Sequence, residues 1–270
     1  MLDRRPGVGR AVARPALSRH GPGGPKTEVV SATFIYGRNP VYEALRGRRR
    51  VRDVVVVDGR VGDELEQHVT DWGRGAGRRP PIRRLPTAEL SALLGTADHQ
   101  GIGAEVDPYV YVDLEAVLAT QSMLVALDEV QDPHNLGAII RTAEAAGAAV
   151  LVPRHRAAEV TPAVVKASAG ATEHATVCRV RNLADALAEA KKAGFWIYGS
   201  AADAAGLYTA QDYRYPTCFV VGSEGQGLGR RVASMCDVMV SLPLEGKMES
   251  LNVGVSAGIL LYEAVRQRTV

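Results

Sequence analysis

The sequence predicts an α/β protein with two units, the C-terminal one built on a doubly wound parallel sheet. From residue 123 onward, short apolar runs typical of buried strands alternate with helical patterns. Such alternation is typical of a parallel sheet with helices on both faces. The chain has 270 residues, of which 46% are hydrophobic, and can therefore bury a sizeable core. No apolar run reaches the length of about 18 residues that a membrane span needs, so we expect none.

The N-terminal unit is predicted over residues 31–106 as a small α/β unit. Its predicted elements are a strand, turn and helix in FIYGRNPVYEAL (34–45), a buried strand in DVVVVD (53–58), helices in DELEQHVTDWG (63–73) and TAELSALLG (87–95), and an extended HQGIGAEV (99–106). Residues 107–122, which contain Asp107-Pro108 and one short helix, are the predicted linker.

The C-terminal unit is predicted over residues 123–270. Its elements in chain order are MLVALD, a helix from 134, AAVLVP, TPAVVKASAG, ATVCRV, the helix NLADALAEAKKAG, FWIYGS, TCFVVG, VMVSLP, and a last helix from about 250. Because ligands of such folds bind beyond the carboxyl ends of the strands, a site is expected in the loops 128–135, 199–206, 222–229 and 242–250.

The composition of the first residues and the spacing of the cysteines bear on disorder, metal binding and cellular compartment. Residues 1–30 are rich in Arg, Pro and Gly without apolar periodicity, which predicts a disordered basic tail. An organellar transit peptide is the second interpretation. Cys178, Cys218 and Cys236 form no paired motif, so neither a disulfide framework nor a metal site is expected. These features favour a reducing compartment, the cytoplasm.

Arginines cluster in the N-terminal unit. RGRRRVR (46–52) has five arginines in seven residues, and residues 74–84 add five more. The predicted RNA-binding side chains are Arg38, Arg46, Arg48, Arg49 and Arg50. A polyanion such as RNA would need clusters of this kind, although a solvated, solubilising face is the more common reason for such clusters.

The loop 128–135 leads into an amphipathic helix with one arginine. Asn135 stands where an N-cap is expected, and Leu136, Ile139 and Ile140 lie on one face at helical spacing. Arg141 points away from that face, among small residues, and is expected to reach a ligand. A plain N-cap and an exposed arginine paired with Glu144 are the alternatives.

The other two loops are rich in glycine and small residues. FVVGSEGQGL (219–228) runs from an apolar strand into glycines with one carboxylate, and LPLEGKMESLNVGVSAGILLYE (242–263) opens a helix that Ser250 or Asn252 can cap. Neither stretch matches the dinucleotide fingerprint or the phosphate-binding P-loop. A nicotinamide dehydrogenase is therefore a distant alternative.

Taken together, DPHNLGAIIRTAEAAG (132–147) and these two stretches resemble the three motifs of the SpoU branch of the SPOUT RNA ribose 2′-O-methyltransferases. The resemblance covers residues 123–268. It implies a deep C-terminal trefoil knot, S-adenosylmethionine as cofactor, no metal, and a homodimer through this unit with the active site at the subunit interface. Periodicity alone does not predict a knot.

The resemblance also assigns roles to residues. The implied catalytic set is Asn135, Arg141, Glu224, Ser250 and Asn252. The implied cofactor-binding set is Ser200, Ala201, Gly222, Gly225, Leu242, Leu244, Leu251 and Val253. An arginine is a poor base because its pKa lies above about 12. Arg141 is therefore expected to grip the substrate phosphate and polarise the 2′-hydroxyl.

The N-terminal unit resembles the L30e-like RNA-binding domain of the ribosomal-RNA members of this family. FIYGRNPVYEAL and HQGIGAEV carry this likeness, although family members commonly have Val where this chain has Gly103. The likeness implies methylation of a guanosine in 23S ribosomal RNA. The alternatives are tRNA guanosine, a ribosomal-RNA adenosine, or a catalytically inactive RNA-binding assembly factor.

Overall fold

The computed structural model describes residues 33–223 and 227–269. The predicted basic tail and the predicted roles of Glu224 and Gly225 lie outside these residues. The described elements, in chain order, are β1 (Thr33–Tyr36), α1 (Arg38–Arg46), β2 (Val51–Val57), α2 (Arg60–Gly75), β3 (Ile82–Leu85), α3 (Thr87–Leu94), β4 (Ile102–Val106), α4 (Leu114–Thr120), β5 (Met123–Asp128), α5 (Pro133–Ala145), β6 (Ala149–Pro153), α6 (Pro162–Ala167), β7 (Val177–Val180), α7 (Leu183–Lys192), β8 (Trp196–Ser200), β9 (Gly206–Leu207), β10 (Thr217–Gly222), α8 (Arg230–Ala233), β11 (Val238–Ser241) and α9 (Val253–Thr269).

The C-terminal unit contains a seven-stranded sheet in the order β7-β6-β5-β10-β8-β11-β9. All its strand pairs are parallel, as the alternating pattern predicted. Residues along β5 are buried on both sides because Val125 and Leu127 pack with α5 and α9, whereas Leu124 and Ala126 pack with α4 and α7. Two apolar layers therefore hold the sheet.

The N-terminal unit has a mixed four-stranded sheet in the order β1-β4-β2-β3. Strand β3, which contains Arg83 and Arg84, was not predicted because charged side chains interrupt its apolar pattern. Gly103 lies inside β4, where a Cβ would come within 2.6 Å of Leu94 Cδ2 from α3. Leu94 thus fills the space that a side chain at position 103 would take.

The predicted linker, residues 107–122, packs against the C-terminal unit. Val112 pairs in parallel with Cys178 of β7, and its N–H donates to the Val177 carbonyl at 2.9 Å. The Tyr111 hydroxyl accepts a hydrogen bond from the Val160 N–H at 3.0 Å. The predicted short helix is α4. None of the helices in the described ranges has the length and apolarity needed to cross a bilayer.

Helix α5 begins earlier than the sequence predicted. Asp132 is its N-cap and accepts a hydrogen bond from the His134 N–H at 3.0 Å, with Pro133 in the first turn. The prediction that Asn135 caps this helix is therefore wrong. The Asp-Pro pair supplies a better start, because proline is preorganised for the first helical position. The predicted apolar face is confirmed, since Leu136, Ile139 and Ile140 are fully buried.

Candidate functional site

Four loops meet at the carboxyl ends of adjacent strands. They follow β5, β8, β10 and β11, which are neighbours in the sheet. This edge is where the fold is expected to bind ligands. Three of these loops enclose a cavity of about 270 Å³, close to the lower end of the range of about 300–1,000 Å³ usual for ligand pockets.

The cavity gathers residues that are far apart in the sequence. Of the predicted cofactor-binding residues, those that line it are Ser200, Ala201, Gly222, Leu242, Leu244, Leu251 and Val253. The predicted catalytic residue Ser250 lines it as well. Ala202, which the sequence analysis placed in the same loop as Ser200 and Ala201, lines it too. Further lining residues, which the sequence did not single out, are Val221, Ser223, Gly227, Glu249 and Ser256. Ser223, Gly227 and Glu249 lie in the loops after β10 and β11, and that position was the available signal.

The floor of the cavity requires a glycine at position 222. A Cβ there would lie 2.1 Å from the Gly227 carbonyl oxygen. The loop folds back because the Gly227 N–H donates to the Ser223 carbonyl at 3.1 Å, with Gly227 at a φ of 66°. Glycine is therefore needed at 222 to let the loop's own backbone pass.

Asn252 joins the last loop to helix α5. Its Nδ2 donates to Asn135 Oδ1 at 2.8 Å, and its Oδ1 accepts from the Gly254 N–H at 2.9 Å and the Val255 N–H at 3.3 Å. Asn252, one of the two residues predicted to cap this helix, therefore caps α9. Asn135 also lines a second cavity, of about 300 Å³, which shares Ser223 and Val253 with the first.

Asp128, at the end of β5, holds the loop on the other side of the cavity. Its carboxylate accepts a hydrogen bond from the Gly229 N–H at 2.8 Å. Burial raises the pKa of the Asp128 carboxyl, and the Gly229 hydrogen bond opposes that rise. The sequence did not point to this residue, since an aspartate at a strand end has many structural explanations.

Arg141 lies outside both cavities. It is exposed on α5, six residues after Asn135, which corresponds to about 9 Å along a helix axis. No acidic side chain within residues 33–223 and 227–269 pairs with it, and the predicted alternative of a pair with Glu144 is absent there. Gly137, which lies one helical turn before Arg141, is buried. At this position the space beside Ala167 of α6 admits only a hydrogen atom.

The predicted RNA-binding arginines differ from one another in exposure and in the groups they contact. Arg38 begins α1 and Arg46 ends it, with the Arg46 guanidinium 4.8 Å from the Trp72 ring centroid. Arg48 and Arg50 are exposed around a depression that Arg79 also lines. Arg49 is buried and ion-paired with Glu173, so its guanidinium is not available to a phosphate.

Most other arginines of the N-terminal unit are also engaged. Arg78 donates to the Ala44, Gly47 and Arg49 carbonyls. Arg83 pairs with Asp53, and Arg84 pairs with Asp63 and Glu66. In the described part of the chain, Arg48, Arg50 and Arg79 have no acidic partner. These three side chains we call the arginine surface.

No cluster of three or more His, Cys, Asp or Glu side chains in the described ranges is arranged to hold a metal ion. The described residues at the site present amides, hydroxyls, backbone groups, carboxylates and a nearby guanidinium. Such groups can orient a ligand and stabilise charge.

Comparisons with known proteins identify both units. Residues 122–262 match the SpoU rRNA Methylase family, and residues 34–112 match a family described as RNA 2′-O ribose methyltransferase substrate binding. A putative TrmH family tRNA/rRNA methyltransferase of Bacillus subtilis, YacO, is 38% identical over 242 residues, which cover 87% of this chain and 96% of that protein.

Solved structures agree with these matches. AviRb, a SpoU methyltransferase from Streptomyces viridochromogenes crystallised with the cofactor AdoMet, superposes with a TM-score of 0.72 and 27% identity, covering 88% of this chain and 91% of that chain. An AdoMet-bound rRNA methyltransferase from Sinorhizobium meliloti superposes with a TM-score of 0.72 and 25% identity, covering 87% of each chain.

Proposed function

Because the chain belongs to the SpoU rRNA methylase family, we propose that it methylates a ribose 2′-hydroxyl of RNA with S-adenosylmethionine, and that its target is a guanosine in 23S ribosomal RNA. The observation that carries the proposal is the convergence of three separate loops on one cavity, beside the Asn135–Asn252 contact. Each loop contributes residues that the sequence analysis assigned to cofactor binding.

The residues of the cavity fit S-adenosylmethionine. Leu242, Leu244 and Leu251 provide an apolar slot, and Ser200 and Ser250 provide hydroxyls at its border. An adenine ring needs such a slot with polar groups at its edge. Glu249 also lines the cavity and supplies a negative charge suited to a cationic ligand. When bound, this cofactor supplies an electrophilic methyl group on a sulfonium centre.

A matched pair of alanines tests this binding site. Ala202 lines the cavity, whereas Ala205 is exposed in the same loop and does not line it. In the Ala202→Trp protein the indole occupies cavity space, so the affinity for S-adenosylmethionine measured by calorimetry falls at least about 10-fold, or about 1.4 kcal/mol. The Ala205→Trp protein binds as the wild type does. Equal affinity in both variants would place the cofactor elsewhere.

On the RNA side, Arg141 grips the phosphate next to the target ribose and polarises the 2′-hydroxyl. A planar guanidinium offers two parallel N–H donors to a phosphate, and its charge is permanent. Asn135 and Ser250 position the ribose, Asn252 holds Asn135 and the start of α9, and Glu224 fixes Arg141 or a neighbouring loop. The trefoil knot expected of the family accounts for the packing of these loops against one another.

Arg141 serves the cavity of a second subunit. It stands too far along α5 to line the cavity of its own chain. The neighbouring α9 presents Val255 and Tyr262, which are 51% and 50% exposed. Helices α5 and α9 pack closely at Gly254, where a Cβ would lie 3.4 Å from Ala138 Cβ. This half-exposed apolar face supports a homodimer through the C-terminal unit.

Ribosomal RNA is favoured over tRNA by the N-terminal unit. This unit matches a substrate-binding family, and its arginine surface, with Arg38 and Arg46, offers cations to a phosphate backbone. Such contacts extend the recognised RNA beyond the target nucleotide. The proposed action on ribosomal RNA favours the cytoplasm as the location of the enzyme.

A further inference from the structure

The N-terminal unit packs directly against helix α6 and the short 3₁₀ turn Ala171–Glu173 of the C-terminal unit. Val165 of α6 belongs to the same buried apolar cluster as Ile35, Val41 and Leu45. The core of the N-terminal unit is thus completed by a side chain from the other unit, so the two units share buried surface.

A buried ion pair crosses this contact. The Arg49 Nε donates to Glu173 Oε2 at 2.9 Å, and its Nη2 donates to Glu173 Oε1. The two side chains are 7% and 0% exposed. Removal of either partner would leave an uncompensated buried charge, so the pair resists separation of the units. Arg78 holds the Arg49 and Gly47 carbonyls from the other side.

Further polar contacts surround the pair. His174 Nε2 and Glu43 Oε2 lie 2.8 Å apart, and Lys166 Nζ donates to the Asp98 carbonyl at 3.0 Å. The Arg49 guanidinium lies 5.6 Å from the ring centroid of Tyr109, in the segment that joins the two units. The connecting segment therefore contacts the interface between the two units directly.

Two glycines make the contact possible. A Cβ at Gly47 would lie 2.5 Å from Glu173 Cβ, and a Cβ at Gly170 would lie 2.8 Å from Glu43 Cβ. Gly47 has a φ of −78° and a ψ of −167°, which any residue adopts. Its small size, and not its backbone freedom, is what the contact uses.

We propose that Arg49 and Glu173 are positioning residues that dock the RNA-binding unit rigidly on the catalytic unit. Arg48 and Arg50 flank Arg49 in the sequence, and Arg79 lines the same depression, so this docking fixes the distance of the arginine surface from the cofactor cavity. The enzyme then selects its target as the nucleotide at that distance from an RNA segment held by Arg48, Arg50 and Arg79. This inference rests on the proposed methyl transfer.

Two variants break the docking without touching the arginine surface. Gly47→Ala inserts a methyl group into the contact, and Glu173→Gln removes the buried negative charge. Gly75→Ala is the matched control, because a Cβ at Gly75 meets nothing within 4 Å. Thermal unfolding of each variant first establishes that it is folded.

The test compares two RNAs as substrates of the 270-residue protein. One spans the target nucleotide and its flanking helices, and the other is a short fragment around the target alone. In both docking variants, the preference in kcat/KM for the long RNA falls about 10- to 100-fold through KM. The rate on the short fragment stays within twofold, and methylation spreads to neighbouring nucleotides. The control keeps the wild-type preference and position.

Hydrogen exchange at the amides of Val165 and Val112 reports the docking independently. An unchanged preference in variants whose amides exchange faster would overturn the proposal, as would unchanged exchange in both variants. A general loss of stability would lower the rates on both RNAs equally and would also count against it. If the wild type methylated neither RNA, the proposed function would fail, and exchange would still decide whether these contacts dock the units.

Discussion

Asn252 shows how one amide can serve both the fold and the site. Its Oδ1 accepts two backbone N–H groups at the start of α9, while its Nδ2 donates to Asn135. Asn135 lies within α5, where alanine has the higher helix propensity. The two residues are therefore expected to differ in what their loss does to stability, although both contribute to the site.

Asn252→Ala is expected to lower the free energy of unfolding by about 1 kcal/mol through loss of the cap. Asn135→Ala is expected to change it by less than about 0.5 kcal/mol, because the helix propensity of alanine offsets the lost hydrogen bond. Both lower the methylation rate. Urea unfolding and initial rates measure the two effects, and equal destabilisation by both substitutions would contradict the assignment of the cap.

Arg141→Lys retains the charge but loses the bidentate fork. We expect kcat to fall about 10²-fold or more, since transition-state stabilisation depends on placed donors, while the affinity for S-adenosylmethionine is unchanged. Arg60→Lys, at a 93% exposed side chain of α2, is the control and keeps full activity. A fully active Arg141→Lys enzyme would exclude the proposed role.

Among single residues, the sequence indicated which residues meet in the fold more reliably than it indicated their local structural roles. The motif placed Asn135 and Asn252 in the site, and the structure brings them into contact. The local prediction that Asn135 caps α5 failed because Asp132 and Pro133 form a stronger start signal. Arg49 was grouped with its neighbours because a run of arginines carries no sign of which one is buried.

Helix α5 contributes a closely packed contact at the scale of elements. Gly137 faces α6, where an added Cβ would lie 2.5 Å from Ala167 Cβ and 2.9 Å from the Ser168 backbone nitrogen. Backbone atoms cannot move away as a side chain can. Gly137→Ala is therefore expected to destabilise the protein by about 1–3 kcal/mol. Gly75→Ala, in open space on α2, is expected to be neutral or stabilising in the same unfolding experiment.

Long apolar elements were predicted well and short polar ones were not. Strands β5, β6, β8 and β10 followed from apolar runs, because both of their faces are buried between helices. Strand β3, the two-residue β9 and the four-residue α8 were missed. These elements have few residues, which are too exposed or too charged to show a hydrophobic periodicity. Their secondary structure is therefore set by tertiary contacts.

The exposed face of α5 and α9 predicts how whole chains assemble. Tyr262→Glu places a charge on this face and is expected to convert the proposed homodimer into a monomer. Val61→Glu changes a comparably exposed apolar side chain, 46% exposed on α2, and is expected to leave the dimer intact. Analytical ultracentrifugation distinguishes the two, and a dimeric Tyr262→Glu protein would place the interface elsewhere.

Glu263 predicts a pH dependence of the stability of the whole chain. Hydrogen bonding to Arg266 lowers the pKa of this carboxyl to about 2. Its contribution is therefore present above its unfolded pKa, near 4.5, and is lost as the pH falls from there toward about 2. Glu263→Gln is expected to cost about 1 kcal/mol or less at pH 7, and the difference from wild type should shrink between pH 5 and pH 3. A difference independent of pH would contradict this origin.

The arrangement of the two units in space could not be predicted from the sequence. Periodicity predicts each sheet, but the Arg49–Glu173 pair joins residues 124 positions apart, and no local pattern links them. The trefoil knot that the resemblance implies would likewise depend on the path of the whole chain. The resemblance reached most of the residues that line the first cavity because it names residues irrespective of their separation.

Methyl transfer to ribosomal RNA is tested by an assay of the purified protein on both classes of candidate RNA. Purified protein is incubated with labelled S-adenosylmethionine and unmodified 23S ribosomal RNA, with bulk tRNA alongside, followed by nucleoside mapping. Assembling ribosomal particles serve as a further substrate. We expect label in 2′-O-methylguanosine of the ribosomal RNA, and about 100-fold less label or lower still in the Arg141→Lys reaction within the same time. Label in tRNA alone would contradict the target, and no label in any RNA, with RNA binding intact, would contradict the enzymatic function itself.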